Sequence, residues 1–228
     1  MVRVTDKLQG WCNFAGHGML SPVEHPSPRL RPEALRQSDG RRLRGERTRR
    51  SIVDAHSALL REGDLKPTAQ TIAERAGVSV RTLWVAFGDM EGLLDATTDY
   101  WLRSDWELRE QVEPTLALDE RLDRFVAERA RRLENIAPAA RSAALAEPFS
   151  AALQASRRHH VQRVRDDVEE VFAGELATLG PADRETQALA LTVAASWNSW
   201  SLMRDDLGLD VATASAAMRR ALAALLGG

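Results

Sequence analysis

Cysteine is almost missing from this chain. Cys12 stands alone among 228 residues, so no intrachain disulfide can form and a reducing compartment is the simpler setting. Aromatic residues are sparse at 5%, with one Tyr and five Phe. No stretch alternates apolar and polar residues as a half-buried strand does, which excludes an ordinary sheet protein. Signatures of catalysis are missing too. There is no Gly-x-Ser-x-Gly elbow, phosphate-binding glycine loop, His-Glu-x-x-His or paired-cysteine zinc spacing. His159 and His160 are adjacent, so one helix face cannot aim both at a metal. Asp166–Asp167 and Glu169–Glu170 read as a solvated face. No enzyme, metal or cofactor is expected. A membrane-length apolar run is also lacking: the charge-free stretch from Thr186 to Met203 holds Gln187, Thr192, Ser196 and Asn198. The N-terminus has no signal-peptide pattern, so a cytoplasmic protein is expected.

What is present is 44% hydrophobic content rich in Ala and Leu, the composition of a helical globular chain. The net charge of −2 hides an asymmetry. Between Arg29 and Arg50 nine Arg face Glu33, Asp39 and Glu46, a net of +6; residues 1–28 balance, so 51–228 carry −8. A basic block ahead of an acidic body suits a protein that meets DNA at one end, although a solvated basic tail has the same composition.

Thr68 to Phe87, TAQTIAERAGVSVRTLWVAF, reads as two short helices joined at Gly77. Ile72, Ala73 and Ala76 share one face, and Leu83 and Phe87 lie four residues apart. Gly77 tolerates the positive φ of a sharp inter-helix turn, and Ser79 can cap the second helix. That helix would present Val80, Arg81, Thr82 and Val85 outward, a surface that fits a DNA major groove.

The preceding RTRRSIVDAHSALLREG supplies a helix with Ile52, Ala55 and Leu59 inward and Gly63 as C-cap. The following GDMEGLLDA starts another. From about Arg47 to Leu94 the order and spacing of these parts resemble the TetR family of bacterial transcriptional repressors. Three positions depart from the family pattern: Trp84 stands where Tyr is usual, Ala86 where His is common and Met90 where Lys is common. Ala86 and Met90 lose a phosphate-donating side chain.

The resemblance implies an all-α protein of about nine helices. A poorly ordered extension would occupy 1–40, with Trp11, Cys12 and Phe14 docked on the body or translation starting later, at Met19 for instance. A helix-turn-helix head over 41–88 and a connecting helix over 89–108 would follow, then a ligand-binding and dimerisation body over 109–228. Asp89 should cap the connecting helix, whose twenty residues rise about 30 Å and carry the stripe Leu94, Thr97, Trp101, Asp105 and Leu108. Helices are further expected from Asp119 to a stop at Pro138, over 139–146, from Pro148, and over 182–206 and 210–226.

Carried across, the family pattern assigns Ser79, Val80, Arg81, Thr82 and Val85 to DNA. Arg81 is the best base reader, since its planar fork pairs with both major-groove acceptors of guanine. Trp84, Arg47, Thr48 and Thr68 would add phosphate contacts. For the body the resemblance implies an apolar or amphipathic small-molecule effector. Candidate lining residues are Trp101, Trp106, Phe125, Leu133 and Phe149, with Leu153, His160, Trp197, Trp200 and Met203 opposite. Aromatic stripes at helical spacing are also what plain core looks like, and an interior His is commonly a satisfied core residue.

The charge-free helix should be buried nearly all round. Leu189, Val193, Trp197 and Trp200 would cover the core, leaving Leu191, Ala195, Ser199 and Leu202. These and the seam Val211, Met218, Leu222 and Leu225 would form a four-helix homodimer interface. Such a dimer would read a palindromic operator on double-stranded DNA, its effector releasing repression. A constitutive regulator, an activator and an all-helical enzyme stay open as alternatives.

Overall fold

The computed structural model describes residues 32–227, and every regular element among them is helical. The chain divides into two units, Met1–Arg41 and Arg42–Gly228. Most of the expected extension, with Trp11, Cys12, Phe14 and Met19, lies outside the described residues. Helix α1 (Pro32–Arg61) begins within the last residues of that segment. Proline fits a first helical position, and the Glu, Ala, Leu and Arg that follow are good helix formers.

The head of the second unit is three helices. On α1, Ile52, Val53, Ala55, Leu59 and Leu60 are buried. Helix α2 (Ala69–Ala76) starts at Thr68, whose hydroxyl accepts from the Thr71 amide, and stops at Gly77 with φ +69°. Helix α3 (Val80–Phe87) starts at Ser79, which accepts from the Thr82 amide. Ile72, Ala73, Leu83, Phe87 and Leu93 close the core against α1. Helix α4 (Met90–Glu107) is capped by Asp89 through the Gly92 amide at 2.9 Å. Its buried stripe is Leu93, Thr97, Trp101 and Asp105; Leu93, not Leu94, occupies the inward position.

The body follows as α5 (Leu118–Ala146), a 3-10 turn (Glu147–Phe149), α6 (Ala151–Val171) and α7 (Ala173–Ala177). Then come α8 (Pro181–Ala194), α9 (Trp197–Ser201), a π-helical turn (Leu202–Asp206) and α10 (Val211–Leu225). Its core gathers Leu122, Phe125, Leu133, Val168, Leu191 and Trp200, with Phe125 and Phe172 edge to face at 5.3 Å.

Two expected breaks differ. Pro138 does not stop α5, which runs on through the stretch expected as a separate helix. Proline removes one i→i−4 bond, yet the helix continues, with Leu133 and Ala137 buried in the turns just before it. The helix expected over 182–206 instead breaks at Ala195. There the buried Arg129 takes the Ala195 carbonyl through Nε at 2.9 Å. The Ser196 and Ser199 hydroxyls both donate to the Val193 carbonyl. Serine side chains that bond the backbone compete with helix continuation.

Candidate nucleic-acid interface

The outward side of α3 is built by what its inward side buries. With Leu83 and Phe87 in the core, the 100° step per residue turns Arg81, Thr82 and Val85 to solvent. Val85 is 79% exposed, an apolar side chain left bare in the middle of a polar face. Ser79 and Thr82 share a hydroxyl contact at 2.8 Å. Val80 and Trp84 are half-buried and pack on the head core, so only part of each side chain is free. Thr68, at the α2 N-terminus, and Arg47, on α1, are exposed. Thr48 is half-buried and its hydroxyl donates to the Arg44 carbonyl at 3.0 Å.

Several side chains with a part in holding this surface were not singled out from sequence. Arg49 donates to the Ala86 carbonyl and lies 4.3 Å over the Phe87 ring, clamping the end of α3. Ser51 donates to the Ala76 carbonyl at 3.2 Å, fixing the end of α2. Arg75 forks onto Glu62 at 2.7 and 2.5 Å, and that hydrogen bond holds the Glu62 carboxyl below its ordinary range. Their only signal in sequence is proximity to the helix-turn-helix.

Four contacts tie the head to the body side. His56 meets the Thr97 hydroxyl at 3.0 Å, and Thr97 in turn donates to the Leu93 carbonyl. His56 Nδ1 therefore carries the proton in that pair. Burial pushes the imidazole down to about 4, against a smaller upward pull from Asp64. Arg61 donates to the Tyr100 hydroxyl at 3.0 Å and lies over the Trp101 ring. Ser142 of α5 donates to the Leu65 carbonyl, and the Ala152 amide of α6 donates to Glu91, both at 2.7 Å.

In the body, the residues expected to line a pocket are divided. Phe125, Leu133 and Trp200 belong to one packed core, with Trp197 and Met203 at its edge. Trp101 and Leu153 are buried outside that cluster. Phe149 is 92% and Trp106 60% exposed, so neither lines an interior space. Phe149 sits in the 3-10 turn before Ser150 caps α6, ahead of the helical phase that would have turned it inward.

An ionic lattice occupies the junction of α4, α5 and α6. Arg132 binds Asp105 through two bonds of 2.9 Å and also reaches Glu128 at 2.8 Å and Asp167 at 2.9 Å. Arg163 adds a second cation to Asp105, and Arg109 bridges Asp167 and Glu170. Burial works against the Asp105 charge, but the Arg132 bond and charge, with Arg163 and Arg129, hold its carboxyl below the ordinary range. Burial wins at Glu128, whose carboxyl is pushed up. Arg129 is 1% exposed; burial, and then the neighbouring Arg132, lower it to about 10. Its Nη2 lies 3.3 Å from His160 Nε2, and burial with that cation beside it pushes His160 down to about 3. The sequence signal is modest: Asp105 falls on a stripe that otherwise faces a core.

The expected dimer stripe is out of phase. Leu191, Ala195, Met218 and Leu222 are fully buried within this chain, and Leu225 is half-buried at the core edge. Leu189, at 48%, and Val193, at 64%, are exposed instead, four residues apart on α8. The stretch is therefore not buried all round. A charge-free helix offers no polar face to set its phase, which is why the pattern misassigned it. Leu202 and Val211 are exposed, while Ser199 is half-buried.

No family model matches the chain, and no curated protein matches it. Among solved structures, it is similar to the crystal structure of a transcriptional regulator from Rhodococcus sp. Rha1. The TM-score is 0.60 at 17% identity, with 81% of this chain and 96% of that chain covered. The two share an all-helical fold. No helix among the described residues is long and apolar enough to cross a membrane.

Proposed function

We propose that this chain is a sequence-specific, double-stranded-DNA-binding transcriptional regulator of the TetR kind. One observation carries the reading. Helix α3 is locked by Leu83 and Phe87 into a closed three-helix head, while Arg81, Thr82 and Val85 stand free on its outer face. The fold held in common with a transcriptional regulator supports it.

In this reading Arg81 pairs with guanine and Val85 rests on a thymine methyl. Ser79, Thr82, Thr68 and Arg47 meet phosphate. Two copies bind together through the exposed apolar residues Leu189, Val193, Leu202 and Val211 of α8 to α10. A two-fold pair sets its recognition helices about 34–36 Å apart, in successive major grooves. Release by an effector would act through α4, which His56 and Thr97 join to the head and Asp105 joins to the body. Turning a 1:99 population into 99:1 takes about 5.5 kcal/mol of differential affinity for the two arrangements. The lattice around Arg132 favours a second reading, a constitutive regulator, because charged side chains fill the junction where an apolar effector was expected.

Selection of bound duplexes from random DNA tests the proposal. Enrichment of a palindrome with half-sites one helical turn apart is the expected result. Retention of no sequence over background overturns it.

A further inference from the structure

Glycine is a poor helix former, so Gly92 in the first turn of α4 calls for a reason. A Cβ added there would run into the Phe87 carbonyl oxygen, well inside any real contact, with the Phe87 carbonyl carbon at 3.4 Å. The colliding atom is backbone, on the last residue of α3. It cannot swing aside as the tip of a long side chain can. The missing side chain therefore lets the end of α3 rest directly on the first turn of α4.

Neither side of this contact is free to yield. On the α3 side, the Phe87 ring is buried in the head core under the Arg49 guanidinium, and Arg49 also donates to the Ala86 carbonyl. On the α4 side, Leu93 is buried in the same core, and Glu91 accepts from the Ala152 amide of α6 at 2.7 Å. The end of α3 is thus pinched between α1 and α4. Pushed at Phe87, a helix of eight residues tilts as a rod. Arg81 lies six residues back, about 9 Å along the axis, and moves with it. Recognition groups have to be held within about 0.5 Å of their productive positions.

We propose that Gly92 is a specificity-determining positioning residue. By leaving room for the Phe87 carbonyl, it sets the angle at which α3 presents Arg81, Thr82 and Val85 to base edges. Gly92 acts through α3 alone, and the inference rests on the DNA-binding reading above.

The test compares full-length wild type with Gly92→Ala in thermal melting, in affinity for the selected operator and for random duplex, and in reselection from random DNA. The variant should stay folded and hold random duplex as wild type does. Its operator affinity should fall by about tenfold, the share of one bidentate arginine–guanine pair. Its reselected half-sites should differ in sequence or spacing. Gly174→Ala in α7, where an added Cβ meets nothing, should change neither affinity. Wild-type operator affinity with unchanged half-sites in Gly92→Ala overturns the inference and leaves the functional reading intact. Equal loss on operator and random duplex overturns it too, because a loosened or unfolded head gives that result. A matching operator loss in Gly174→Ala assigns the effect to helix propensity and overturns it as well. If wild type selects no duplex, the functional reading falls and this inference with it.

Discussion

The ionic lattice of the body and the outer face of the head use the same side chain in opposite ways. In the body, Arg109, Arg121, Arg132, Arg163, Arg165 and Arg219 each bind one or more carboxylates. In the head, Arg44, Arg47, Arg50 and Arg81 are exposed and take part in no ion pair among the described residues. An arginine inside a lattice has spent its donors, and removing its partner leaves a charge stranded away from water. An arginine held open at the surface contributes little to folding and keeps its donors for another molecule. The contrast separates residues that hold the structure from residues available for work on a polyanion.

The largest expected effect tests the body side of that contrast. Asp105 is 2% exposed and accepts from both Arg132 and Arg163. Asp105→Ala removes the carboxylate these two cations share, leaving Arg132 with Glu128 and Asp167 alone, and breaking a buried pair in this way costs about 3–5 kcal/mol. A denaturant midpoint within error of wild type would show that the lattice is not structural. Exchanging a head arginine such as Arg44 should change stability by less than about 0.5 kcal/mol.

His56, buried in the head, and His160, half-buried in the body, give the second test. Folding lowers His56 to about 4 and His160 to about 3 from 6.5, so the unfolded chain takes up protons first. Stability is therefore flat above about pH 6.5 and falls as pH drops toward the folded values. At about 1.4 kcal/mol per pH unit, each histidine removes about 2 kcal/mol by pH 5. His56→Gln and His160→Gln should each relieve about half of that slope. Identical unfolding midpoints at pH 7 and pH 5 in wild type would contradict the burial of both rings.

The contrast also explains what could be read from sequence. The head was legible because its signals are local: Ser79 and Asp89 cap as their spacing predicts, and Gly77 takes the left-handed turn. Leu83 and Phe87 set the phase of α3, which in turn names its outer face. The body is held by long-range pairs such as Arg132–Asp167, Arg129–Ala195 and Trp200–Glu134, which no window of sequence contains. The phase of α8 was misread for a related reason. Apolar and small residues surround that helix, so only the partners it meets decide that Leu191 goes inward and Leu189 outward. Phe149 differs because the helix expected to open at Pro148 starts only at Ala151, after a 3-10 turn.

The smallest effects on stability belong to the proposed DNA surface, where two nearby residues should part company. Ser79 accepts from the Thr82 amide at 3.0 Å, so Ser79→Ala removes a cap worth about 1 kcal/mol and loosens the start of α3. Operator and random DNA should both lose affinity, since the helix that presents every contact is less ordered. Arg81 is exposed and bonds to nothing inside the chain among the described residues. Arg81→Ala should therefore leave the thermal midpoint unchanged and remove about 1–3 kcal/mol of discrimination between operator and random duplex. Competition binding with the two variants, beside their melting curves, separates the roles. If Arg81→Ala melts early and keeps its specificity, then Arg81 belongs with the structural arginines of the body, and the division drawn between the two regions fails at the residue where it matters most.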